Sequence, residues 1–237
     1  MCCRYQLILC IIMQAFHTAA QRESCTNAGN ILPIYKAGKY EKVIEKANNI
    51  LARDSSCTEA YIYRGVANSD LENYDKALDD LTKAIELDPE NSKAFRNRAI
   101  VWYKLKLWKS AEKDYLEGIK LEPEYAIQYT NIALLYSEME LYDKSLEYFE
   151  KAIQLAPQDD ENYTNRANVF IRLHRWNDAK NDLKKALQLN KNDDFIYLYF
   201  GIIYEEEGKL KEAREAYKKA LKINPKNSDA KERLKGL

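Results

Sequence analysis

Prolines stand at Pro89, Pro123, Pro157 and Pro225, separated by 34, 34 and twice 34 residues, with Lys191 in the skipped slot. Small residues keep the same step in three further phases: Gly65, Ala99, Ala133, Ala167 and Gly201; Ala77, Ala111, Ser145, Ala179 and Ala213; Ala84, Gly118, Ala152, Ala186 and Ala220. A large apolar set, Leu81, Tyr115, Phe149, Leu183 and Tyr217, follows it too. Five sets in one phase define a repeat architecture, and this constrains the fold more than any bulk property. A repeat of this length is a single supersecondary element that buries its apolar face only against its neighbours.

The physics of one repeat is legible in 58–91. "TEAYIYRGVANSDL" and "YDKALDDLTKAIEL" both have helical periodicity, and the short polar break "ENYD" makes them an antiparallel pair. Gly65 and Ala77 fall where the two helices cross, and small side chains there permit an axis separation of about 8–10 Å. Ala84 lets the second helix meet the next repeat. Pro89 stops it, because proline disfavours helix in the residue before it.

These phased residues resemble the tetratricopeptide repeat, whose 34-residue unit carries small residues at positions 8, 20 and 27 and proline at 32. Five repeats match in register: 58–91, 92–125, 126–159, 160–193 and 194–227. A sixth, 24–57, keeps "YKAGKYEKVIEKA" but lacks small residues at two of the three sites. Residues 228–237 begin with Ser228, a good N-cap, and are expected to form a capping helix. The fold class implied is all-α: a right-handed solenoid of antiparallel helix pairs. In such a solenoid adjacent first helices pack side by side. That would bring Cys25 near Cys57 and allow a disulfide contributing about 3–4 kcal/mol through loop closure.

Position 7 of such repeats is usually large and apolar, yet here it reads Arg64, Arg98, Ile132, Arg166 and Phe200. Sixteen residues on, position 23 reads Asp80, Asp114, Tyr148, Asp182 and Ala216. Every arginine has an aspartate, and the apolar residues have none. The two positions face each other across an antiparallel pair, so Arg64–Asp80, Arg98–Asp114 and Arg166–Asp182 are expected to be structural ion pairs. Guanidinium suits carboxylate geometry, and its stem still covers apolar surface.

The N-terminus differs from the rest. "MCCRYQ" carries one positive side chain, "LILCIIMQAF" is mostly apolar, and "HTAA" supplies small residues. This is the form of a secretory signal, residues 1–20, cleaved after Ala20. Its apolar stretch is too short for a stable membrane span, which needs roughly 20 residues. Cleavage would remove Cys2, Cys3 and Cys10 and leave Cys25 and Cys57, a count that suits one bridge in an exported protein. A secreted or periplasmic location is expected; a cytosolic adaptor with an uncleaved N-terminus is the alternative.

Lysine plus arginine equals aspartate plus glutamate at 37 each, which gives no reason to expect nucleic acid as a partner. Catalytic chemistry finds no constellation. The mature chain's one histidine, His174, lies in an inter-helix turn, the serines lack a histidine base, and no spacing suits a metal or a phosphate loop. No catalytic residue, metal or cofactor is assigned. Acid pairs such as Asp159–Asp160 and Asp193–Asp194 begin helices, where they complement the dipole. Asn162-Tyr163-Thr164 is a glycosylation sequon.

The resemblance implies a non-enzymatic scaffold whose first helices line a concave groove for a protein or peptide partner. The residues carried onto that face are Tyr63, Arg96, Asn97, Ile100, Tyr103, Thr130, Asn131, Leu134, Thr164, Asn165, Asn168 and Tyr199. Asn97, Asn131 and Asn165 share one position, and asparagine both donates to and accepts from an extended peptide backbone. The carboxylate clamp of chaperone-binding members is not matched. Arg96 and Asn131 fit it loosely, whereas Ile100, Glu161 and Asn165 do not.

Overall fold

The computed structural model describes Cys25 and residues 30–237; the expected signal 1–20, its cleavage point and Cys2, Cys3 and Cys10 lie outside the described residues. Among the described residues there are thirteen helices and no strand. The chain divides into two compact halves, Met1–Glu122 and Pro123–Leu237. The N-terminal half holds α1 (Leu32–Lys36), α2 (Tyr40–Leu51), α3 (Thr58–Asp70), α4 (Tyr74–Leu87), α5 (Ser92–Lys104) and α6 (Trp108–Leu121). The C-terminal half holds α7 (Ala126–Glu138), α8 (Tyr142–Leu155), α9 (Asp160–Arg172), α10 (Trp176–Leu189), α11 (Asp194–Glu206), α12 (Leu210–Ile223) and α13 (Ser228–Gly236). Consecutive helices form antiparallel pairs, the layered arrangement of an α-solenoid.

Each pair closes on its small residues. A methyl added at Gly65 would stand 2.8 Å from Leu81 Cγ, and one at Gly201 would come within 3 Å of the Tyr217 ring. Ser145 fits the same crossing because its hydroxyl donates to the Ala133 carbonyl at 2.8 Å. Around the crossings Leu81, Phe149, Leu183 and Tyr217 are fully buried, each worth about 1.5–3 kcal/mol of transfer free energy.

The first helix of each repeat ends in one residue of left-handed conformation. Glu72, Lys106, Glu140 and His174 have φ of 61°, 58°, 59° and 56°, and Gly38 and Gly208 have 68° and 72°. All six occupy position 15. The reversed bonds that close such a turn are present, as from Lys209 N to the Tyr204 carbonyl at 2.8 Å. In the five repeats from 58 to 227 the second helix stops two residues before the proline slot whether or not proline fills it. α10 ends at Leu189 although Lys191 stands in that slot. There Asn190 is extended, and its side chain accepts from Asn192 N at 2.9 Å, the same Asx turn that Asp88 and Asn224 make beside Pro89 and Pro225, so the turn holds without the proline.

Two expectations are corrected at the ends. The N-cap of α13 is Asn227, whose side chain accepts from Ala230 N at 2.8 Å, while Ser228 is the first helical residue. In repeat 24–57 the three usual small sites hold Ile31, Val43 and Ile50, all buried in a local core with Ala47 and Ala60. Larger residues there are accommodated around the short α1. Cys25 and Cys57 lie beside this core with Cα atoms 5.4 Å apart, within the usual disulfide range. At the other end α13 closes the array: Ala230 is buried, and Arg233 donates to Glu205 at 3.0 Å, the carboxylate that also accepts from Tyr217 Oη at 2.6 Å.

Candidate functional site

In the C-terminal half, α9 and α11 present two adjoining cavities on their first-helix face. One, of about 470 Å³, is walled by Thr164, Asn165, Phe195 and Tyr199, with Asp160, Glu161, Asp193 and Asp194 at its acidic end and Asn190 and Asn192 closing it. The other, of about 550 Å³, shares Phe195 and Tyr199 and adds Asn168, Leu198 and Ile202, with Arg172, Asp229, Glu232 and Arg233 around it. The Phe195 and Tyr199 rings are 6.1 Å apart. Burial pushes the Tyr199 phenol up to about 12, so it remains a neutral donor near pH 7. Four residues expected on the groove, Thr164, Asn165, Asn168 and Tyr199, are thus brought together here.

The threonines play a different part. Thr130 is 9% exposed and its hydroxyl donates to Asn162 Oδ1 at 2.6 Å; Thr164 is 4% exposed and donates to Asp193 Oδ2 at 3.3 Å. Each ties its helix to the start of the next first helix, beneath the face. Asn162 is fully buried, and its amide also donates to Asp159 at 3.1 Å, so the sequon offers no room for a glycan in the folded chain. Asn131 and Leu134 remain partly exposed on α7, Leu134 against the core of Ala133, Phe149 and Val169.

In the N-terminal half, Tyr63 on α3 and Arg96, Asn97, Ile100 and Tyr103 on α5 are all partly exposed. Asn97 is engaged with its own helix, donating to the Lys93 carbonyl at 2.8 Å. Tyr103 stacks edge-on with Trp108 at 5.6 Å. A polar chain crosses the same half: Tyr35 Oη donates to Asp70 at 2.6 Å, and Lys104 donates to Asp70 at 3.1 Å and to Ser69 Oγ at 3.0 Å.

The arginines and aspartates of positions 7 and 23 meet in all three repeats. Arg64 Nε and Nη2 donate to the two Asp80 oxygens at 2.9 and 2.6 Å; Arg98 to Asp114 at 2.7 and 2.9 Å; Arg166 to Asp182 at 2.7 and 2.8 Å. The aspartates are 6%, 3% and 7% exposed, so each bidentate pair is largely desolvated. The hydrogen bonds to Asp80 raise the Arg64 pKa. The third nitrogen of the first two arginines reaches outward, Arg64 Nη1 to Asn48 at 2.5 Å and Arg98 Nη1 to Thr82 at 3.1 Å. Trp102 Nε1 adds a third donor to Asp114 at 3.2 Å. These side chains are consumed by one another and by the preceding repeat.

Among the described residues no group of three or more His, Cys, Asp or Glu is placed to hold a metal ion, and no helix is long and apolar enough to cross a membrane. His174 caps its turn and packs edge-on against Trp176 at 5.1 Å.

Models of the tetratricopeptide repeat match residues 58–91, 126–159 and 195–227. The chain is a tetratricopeptide-repeat protein. Its fold is similar to PilF of Pseudomonas aeruginosa, at a TM-score of 0.76 and 17% identity over 93% of this chain and 99% of that one. It is also similar to YrrB, described as a TPR protein with an unusual peptide-binding site, at a TM-score of 0.59 and 18% identity over 81% and 98%. A thermophilic TPR protein from Thermus thermophilus gives 0.63 and 24% over 76% and 97%. At these identities the likeness concerns the fold alone. No curated protein matches the chain in sequence.

Proposed function

We propose that the protein is a non-enzymatic scaffold that holds an extended segment of a partner protein against the first-helix face of its repeats. The observation that carries this reading is the pair of adjoining cavities sharing Phe195 and Tyr199. Aromatic walls supply contact area at low entropic cost, and Asn165 and Asn168 supply adaptable donors and acceptors beside them. The test is affinity capture from the native compartment with wild type and with Asn165→Ala/Asn168→Ala, folding being checked by circular dichroism. Partners are expected to be depleted at least about tenfold, as for loss of polar contacts in a binding centre. A folded double variant that retains every partner overturns the reading.

The protein works, in this proposal, outside the cytosol. The charged–apolar–small order of residues 1–20 supports export, and the 5.4 Å Cα separation of Cys25 and Cys57 is compatible with a bridge that holds the first repeat to the second. Amino-terminal sequencing of the native protein is expected to begin at Gln21; a start at Met1 overturns export. Non-reducing peptide mass mapping is expected to recover Cys25 linked to Cys57; two free thiols overturn the bridge.

A further inference from the structure

Resting on the scaffold reading above, we propose that the bound segment presents a basic side chain, its aliphatic stem lying on Phe195 and its charged end among Asp160, Glu161, Asp193 and Asp194. The starting point is the aromatic wall. Phe195 is 47% exposed although it is a large apolar ring on a helix, and its partner ring Tyr199 is shared between two cavities. Such an uncovered ring gives a stem something to pack on and a cation something to face.

Charge selects the occupant. The chain as a whole is neutral, with 37 basic and 37 acidic residues, yet this cavity is lined by four carboxylates and by no lysine, arginine or histidine. Asp160 accepts only from the Asn190 amide at 2.9 Å, Asp194 from Asn224 and Asn227 at 3.0 and 2.7 Å, and Asp193 from Thr164 and Phe195 N. These bonds orient the carboxylates without neutralising them, and none of the four is in an ion pair within the described chain. Starting a helix accounts for an acid at the cap, but not for a wall in which every charged group has the same sign. Desolvation, and then the neighbouring acids, hold Glu161 above its usual range, and desolvation does the same for Asp193. A cation entering the cavity relieves that repulsion.

The carboxylates also do not converge as metal ligands do. A spread of negative charge beside a ring fits a long side chain with a diffuse or mobile positive end. The adjoining cavity carries both signs, Arg172 and Arg233 against Asp229 and Glu232, and therefore adds no preference of its own.

The test is selection of a random heptapeptide phage library on the full chain and on Glu161→Gln/Asp193→Asn. Asparagine is as good an N-cap as aspartate, so α11 keeps its start, and circular dichroism checks the variant. Wild type is expected to enrich peptides containing arginine or lysine, bound about tenfold more tightly than by the double variant at low salt, with the difference shrinking as salt screens it. Peptides that lack basic residues but require Asn165 and Asn168 overturn the basic preference and leave the scaffold reading standing. Basic peptides bound equally by the double variant do the same. Failure to enrich any peptide overturns both.

Discussion

Repeats 92–125 and 126–159 share a backbone plan but hold it with opposite chemistry. In the first, Arg98 and Asp114 form a bidentate pair joined by Trp102 Nε1 and Thr82. In the second, Ile132 is fully buried and Tyr148 takes the place of the aspartate, its ring 6.3 Å from Tyr129 and 5.4 Å from Tyr136. The difference teaches that positions 7 and 23 form one exchangeable part. Either member is costly alone: a lone arginine would be a half-buried charge, and a lone aspartate a buried one. Together they satisfy each other, and so does an apolar pair. A buried ion pair is weak as a source of net stability but severe when broken.

The largest effect expected is for Asp114→Ala, which strands Arg98 and removes an acceptor from Trp102; about 3–5 kcal/mol is lost in urea unfolding. An unmoved midpoint would mean that the pair is incidental. Tyr148→Ala in the apolar repeat should cost less, about 2 kcal/mol, because a partly exposed ring loses contact without leaving a charge behind. The transplant Arg98→Ile/Trp102→Tyr/Asp114→Tyr is expected to come within about 1–2 kcal/mol of wild type, the residue being imperfect repacking. If it is as damaging as Asp114→Ala, the two repeats differ by more than this part. Smallest are Lys106→Gly and Glu140→Gly, each gaining about 0.5 kcal/mol or less by easing the left-handed turn against glycine's larger chain entropy. Equal gains would show that the turn is common to both repeats; a gain in only one would separate them there as well.

The repeat and its crossings were readable because sterics leaves few choices: a Cβ added at Gly65 or Gly201 would press on Leu81 or Tyr217, and that column is small in every repeat except the first, where Ile31 sits at the start of the short α1. The arginine–aspartate pairs were readable because two columns changed together. The turn column was not, since Glu72, Lys106, Glu140 and His174 share a backbone angle and no side-chain chemistry, and only Gly38 and Gly208 betray it. The stop at Asn190 and the cap at Asn227 depend on hydrogen bonds that several residue types could have made. Of the site, Asn165, Asn168 and Tyr199 followed from their place in the repeat. Thr130 did not behave as a face residue, because the next helix start covers it. The acidic wall escaped notice for a related reason. Read along the chain, Asp160, Glu161, Asp193 and Asp194 are two ordinary helix starts; only side-by-side packing of α9 and α11 turns them into one surface.

The closing helix α13 has a consequence for how such a chain can change length. Its Ala230 packs with Leu198, Ala213, Tyr217 and Ala220, and its Arg233 reaches the Glu205 carboxylate that Tyr217 also holds, so these partners all belong to the final repeat. A duplicated 34-residue module spliced between 227 and 228 would offer α13 the same seat again. The joint therefore works as a socket: the array can be lengthened by tandem copying while its terminator is kept, and recognition surface can be added without redesigning the end.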